Sequence, residues 1–131
     1  VRVAGHPLDD TFFSEAPISV VPGALGTRDV DEATGLASRT DFKVVERRDD
    51  GTALLEAVLG SGRTNQIRVH LWDLGHPVVG DPAYLPGRVL GDTQTLDVDA
   101  PPLQLHAWKL TFLHPRTGET VTFEAGNPDW V

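Results

Sequence analysis

The stretch Ser61–Tyr84, SGRTNQIRVHLWDLGHPVVGDPAY, gathers two arginines and two histidines in one short run. Arg63 and Arg68 flank the point where a helix is expected to begin. Unpaired backbone N–H groups and the helix dipole favour an anion there, so a phosphate or a carboxylate is the ligand class the pair could hold. The plainer reading of either arginine is a surface ion pair. His70 and His76 do not have the i, i+4 spacing of a helical zinc site, and no third ligand lies near them, so no metal is expected. His70 reads as a core histidine with a satisfied ring nitrogen, and His106 and His114 as structural. Asp9 and Asp10, in HPLDD, are the carboxylates nearest the start and could be imagined in a nucleophile loop.

The elements that must position these groups follow from pattern. Ile67, Leu71 and Leu74 recur at helical spacing with His70 on the same side. Thr64 can cap through its hydroxyl, Gly75 stands where a left-handed C′ residue belongs, and Pro77 follows. The expected helix is therefore Thr64–Leu74, with Arg68 turned away from the apolar stripe and Trp72 beside it. It is short, so packing rather than propensity must hold it. Upstream, SRTDFKVVERR alternates, with Phe42, Val44 and Glu46 expected on one side. DDG and TALLEAVLG then complete a hairpin whose turn favours positive φ at Gly51. Downstream, LQLHAWKLTFLH alternates from Leu103 to Phe112, HPRTGE turns, and TVTFEA returns as a second hairpin. The segments at about 23–35 and 86–102 are rich in Gly, Pro and Asp and read as mobile loops. Tyr84 falls at a turn and reads as structural. Strands with one main helix point to an α+β fold with a mostly antiparallel or mixed sheet.

The chain has 131 residues, a net charge of −8, no Cys and no Met. That length suits a single domain, 1–131, with a real core. The absence of Cys excludes disulfides and thiolate metal sites, and fits a cytoplasmic setting. No apolar run approaches the roughly 18 residues of a membrane span, so no membrane partner is expected. The acidic balance argues against a purely electrostatic nucleic-acid binder but leaves room for a local basic groove. VRVAGHP lacks the marks of a signal peptide, and the chain is expected to begin partway through a larger protein.

The order of motifs is similar to a known family. GRTNQIRVHLWDLGHPVVGDPAYL resembles the late motif of RluA-like RNA pseudouridine synthases, a Gly-Arg-Thr-His-Gln-Ile-Arg-Val-His run followed by Gly-His-Pro and Gly-Asp. LQLHAWKLTFLHPRTGE resembles the family's closing Leu-His-Ala and His-Pro element, and GLASRTDFKVVER its Gly-x-x-Ala-x-Thr strand. VRVAGHPLDDTFFSEAPI resembles the segment before these. The resemblance implies isomerisation of uridine to pseudouridine in structured RNA such as rRNA or tRNA, on a flipped-out base and with no cofactor. It also implies an essential aspartate, held and kept ionised by a motif arginine. By motif position that arginine is Arg68. Arg63 falls to phosphate contact or loop bracing, and Asn65 and Gln66 to the substrate-binding motif.

Two departures qualify this. Asn65 stands where the family usually has histidine, and Asn cannot titrate. The Arg-Leu-Asp and Thr-Ser-Gly signature of the catalytic loop is missing, since Leu8-Asp9 lacks both the Arg and the Ser-Gly. The expectation is therefore the C-terminal half of such a catalytic domain, inactive alone, acting on RNA through a full-length parent. Uncovered apolar faces would then make the isolated piece marginally stable or self-associating. The alternative is a noncatalytic, degenerate binding module on the same scaffold. A third reading is a phosphate- or carboxylate-binding domain built on Arg63.

Overall fold

A computed structural model describes residues 1–131. Its strands are β1 Arg2–Ala4, β2 Thr11–Ser14, β3 Thr40–Arg47, β4 Thr52–Leu59, β5 Tyr84–Leu85, β6 Val89–Leu90, β7 Lys109–Leu113 and β8 Thr120–Glu124, and its helix is α1 Gln66–Asp73. Four strands form one antiparallel sheet in the order β1-β4-β3-β2, and β5-β6 and β7-β8 are separate antiparallel pairs. The expected mostly antiparallel sheet with one main helix is what the chain builds.

The hairpin β3-β4 turns through Gly51 at φ 80°. Alternation holds up to Val44, and then a bulge at Val45 shifts the register, so that Val44 opposes Leu55 but Glu46 opposes Leu54. The extra residue reverses which side each later residue takes. Glu46 therefore leaves the side of Phe42 and Val44 on which it was expected.

One sheet face packs on α1 through Val3, Phe42, Ala53, Leu55, Leu71 and Val78. A second cluster, Ile18, Val69, Trp72, Ala83 and Tyr84, lies on another side of the helix. The helix is thus clamped from two directions, which offsets its shortness. The expected stripe is correct only in part: Leu71 is buried, while Leu74 is 40% exposed and Val69 and Trp72 are buried instead.

Both helix ends differ in their chemistry. At the C-terminus Gly75 has φ 82°, as expected, and His76 N–H and Gly75 N–H donate to the carbonyls of Leu71 and Trp72. That is the double closure a left-handed glycine permits. At the N-terminus Thr64 is not the cap. Asn65 holds that place at φ 57° with no side-chain capping bond. The Gln66 side chain folds back instead, and its Oε1 accepts from Arg63 N–H at 3.0 Å and from Ser61 Oγ–H at 2.8 Å.

The second hairpin is shorter than its alternation suggested, because Leu103–Trp108 is irregular. Gln104 there donates its N–H to Val79 and accepts at its carbonyl from Arg2, an interior connection rather than a strand pair.

Candidate active site around Arg68

Arg68 lies in α1 on the same side as Asn65 and Trp72, at i−3 and i+4. Its Nε donates to Asp81 Oδ2 and its Nη2 to Asp81 Oδ1, both at 2.7 Å. Its Nη1 donates to Asn65 Oδ1 at 3.1 Å. The Tyr84 ring lies 4.8 Å from the guanidinium carbon. The Arg68 side chain is 12% exposed and that of Asp81 is fully buried. A guanidinium has five N–H donors, of which these contacts use three. One hydrogen on Nη1 and one on Nη2 remain for another acceptor.

Asp81 is set by its own turn. Its Oδ1 also accepts from Ala83 N–H at 2.9 Å and Tyr84 N–H at 3.1 Å. The Gly-Asp-Pro stretch therefore folds around the carboxylate that grips Arg68. Tyr84 is 1% exposed, and its hydroxyl donates to Arg28 carbonyl at 2.8 Å while accepting from Arg28 N–H at 2.7 Å. Asn65 Nδ2 reaches the same hydroxyl at 3.4 Å. Burial pushes the Tyr84 phenol above its ordinary range, so it stays protonated. The ring is a wall of the arginine's socket and has no free face on which a base could stack.

The residues singled out from sequence separate into two groups. Asn65 and Arg68 come together. Gln66 does not join them: it is 3% exposed, and its Nε2 donates to Arg39 carbonyl at 2.8 Å and Thr40 Oγ1 at 3.0 Å. With its Oε1 also engaged, it braces the junction of β3 and α1. Arg63 stands outside, its Nε donating to Ala37 carbonyl at 3.1 Å. It borders an open groove lined by Glu15, Ala37, Ser38, Arg39, Gly60 and Ser61.

His70 is fully buried, as a core histidine should be. Its Nε2 faces Ala16 carbonyl at 2.9 Å and Ser38 Oγ at 3.1 Å, and its Nδ1 faces Thr40 Oγ1 at 2.9 Å. Burial lowers its pKa below the ordinary histidine value. His106 is less settled than its structural reading implied, for its Nε2 and the Oε1 of Gln104 are buried without a hydrogen-bond partner. Asp10 pairs with Arg47 at the surface, at 2.8 Å. Sequence reasoning missed Asp81. The signal was its place in the Gly-Asp motif downstream of an arginine on the helix.

No family model matches the chain. Individual relatives do. It is 43% identical over 117 residues to ribosomal large subunit pseudouridine synthase D of Nitrosomonas europaea, covering 88% of this chain and 33% of that protein. It is 35% identical over 124 residues to the dual-specificity RNA pseudouridine synthase RluA of Escherichia coli, covering 95% of this chain and 53% of that protein. The chain belongs to the RluA-like family of RNA pseudouridine synthases. Among solved structures, human RNA pseudouridylate synthase domain containing 1 matches with a TM-score of 0.69 and 26% identity, over 97% of this chain and 52% of that one. Human RNA pseudouridylate synthase domain containing 4 matches with a TM-score of 0.68 at 21% identity, a likeness of fold. The chain therefore spans between about a third and about half of the relatives it matches. No helix is long and apolar enough to cross a membrane.

Proposed function

We propose that this chain is the C-terminal part of a catalytic domain that isomerises uridine to pseudouridine in structured RNA, and that it is inactive by itself. On this reading Arg68 meets the catalytic carboxylate, which another part of the parent protein supplies. The observation that carries it is the state of the guanidinium. Three of its N–H groups are fixed by Asp81 and Asn65, its face lies on Tyr84, and two N–H groups are left over. A pre-oriented cation of this kind can hold a carboxylate without ordering costs at the moment of reaction. Arg63, outside the socket, is a contact for RNA phosphate. Asn65 acts on the substrate side through Arg68, and Gln66 holds the helix start in place.

The test is Arg68→Ala in the full-length parent. Pseudouridine formation should fall by about a hundredfold or more, the scale of losing one charge-stabilising donor, while RNA affinity changes little. Equal losses in both would place Arg68 on a phosphate instead.

One observation favours the second reading, a noncatalytic binding module. Arg68 already has a carboxylate partner within the chain, in Asp81. If the full-length parent binds RNA but forms no pseudouridine, that reading replaces the first.

The pair β7-β8 supports self-association of the isolated chain. Leu110 faces Phe123 and Phe112 faces Val121 across the two strands. Leu110 and Phe123 are 61% and 60% exposed. Such a face seeks cover.

A further inference from the structure

We infer that Asp81 is the positioning residue of this site, which sets where the free hydrogens of Arg68 point. The inference rests on the reading that Arg68 serves a second acid. It is carried by the convergence of four N–H groups on one fully buried carboxylate: Arg68 Nε and Nη2, and the backbone N–H groups of Ala83 and Tyr84.

An arginine on a helix has a long, many-rotamer stem, and holding one rotamer costs entropy. Asp81 removes that freedom before any ligand arrives. It takes one fork of the guanidinium in two parallel bonds of 2.7 Å. It is itself immobile, because the same Oδ1 closes the backbone turn 81–84. That turn carries Tyr84, whose ring covers the guanidinium face. The second acid thus meets hydrogens whose direction is a property of the turn and not of the arginine. Asn at position 81 could still accept the two backbone N–H groups through its oxygen. Its NH₂ would then confront Arg68 Nε–H, donor against donor, and the clamp would open while the turn stayed.

The experiment is side-chain ¹⁵N NMR of the 131-residue chain, with the Arg68 Nε–H signal assigned by its loss in Arg68→Lys. In the unmodified chain this hydrogen should exchange slowly with water. In Asp81→Asn its exchange should accelerate by at least about tenfold, the factor matching about 1.4 kcal/mol. The Val3, Leu71 and Val78 methyl signals should stay in place. Asp81→Glu, which keeps the charge on a longer stem, should fall between. Fast exchange in the unmodified chain overturns the inference without any variant. So does an Arg68 signal in Asp81→Asn that matches the unmodified one. Adding acetate as a carboxylate probe separates the two claims. A shift of the Arg68 Nη signals supports both. Slow exchange with no acetate response upholds the clamp and counts against the second-acid reading.

Discussion

Asn65 joins Arg68 to Tyr84: its Oδ1 accepts from Arg68 Nη1 at 3.1 Å, and its Nδ2 lies 3.4 Å from the Tyr84 hydroxyl. It does so from a left-handed backbone, φ 57°, at the start of α1. Asn tolerates this conformation better than most residues, while a plain Cβ costs roughly 1–2 kcal/mol there. The departure from the family's histidine thus preserves a residue that can turn the corner and hydrogen-bond on both sides.

A pair of variants isolates the backbone part. Asn65→Gly and Asn65→Ala both lose the two side-chain contacts. Only Ala meets the positive φ. In a helix interior Ala is the more stabilising of the two by about 1 kcal/mol. Here the order should reverse, with the Ala variant about 1 kcal/mol less stable by urea denaturation. An Ala variant as stable as the Gly variant would show that the corner is not left-handed.

His70 gives the chain a pH dependence of predictable sign. In the fold its Nδ1 accepts from the Thr40 hydroxyl, which in turn accepts from Gln66 Nε2–H. A proton on Nδ1 would force the Thr40 hydroxyl to turn its own hydrogen away from the ring. Burial lowers its pKa below 6.5. The unfolded chain protonates this ring near its ordinary value of about 6.5. Between the lowered folded value and about 6.5 the unfolded state binds more protons, so stability falls as pH falls through that window. Melting temperatures across it should decline for the unmodified chain. His70→Asn should be less stable at neutral pH but flatter over the same range, and an equal slope in both would assign the effect elsewhere.

The sheet and hairpin were legible because alternation and a Gly at a turn are local signals. Val45 was not, since a bulge is fixed by cross-strand pairing that one strand does not display. Gly75 was legible for the same local reason as Gly51. The N-terminus was not, because Gln66 and Asn65 took the work of Thr64 through contacts to Tyr84, Thr40 and Arg39, all distant in sequence. Arg68 was singled out by motif position. Its partner Asp81 was not, because an arginine turned away from an apolar stripe reads as solvent-facing until the second cluster around Trp72 and Tyr84 is known.

Arg63 should report on phosphate. Its one side-chain hydrogen bond is to the Ala37 carbonyl, which leaves both Nη groups without a protein acceptor. Arg63→Ala in the full-length parent should weaken RNA binding without changing which uridine is modified. The slope of log affinity against log salt should become shallower by about 1, the signature of a lost phosphate contact. An unchanged slope would return Arg63 to loop bracing.

The pair β7-β8 makes the last expectation concrete. Trp108, Leu110, Phe112 and Phe123 are all more than a third exposed, and the Phe112 and Phe123 rings stack at 6.0 Å. The opposite face carries Lys109, Thr111, Thr120, Thr122 and Glu124 with Leu113 as its one large apolar residue, so the apolar surface of the hairpin lies mainly on one side. It contributes no residue to either core cluster. Replacing Leu110 and Phe123 together by Lys should therefore leave the main fold intact while removing association of the isolated chain. Each full burial it prevents is worth about 1.5–3 kcal/mol. Sedimentation velocity across a concentration series should show oligomers for the unmodified chain and monomers for Leu110→Lys/Phe123→Lys. A concentration-independent monomer in both would mean that the apolar face stands open without driving contact between copies.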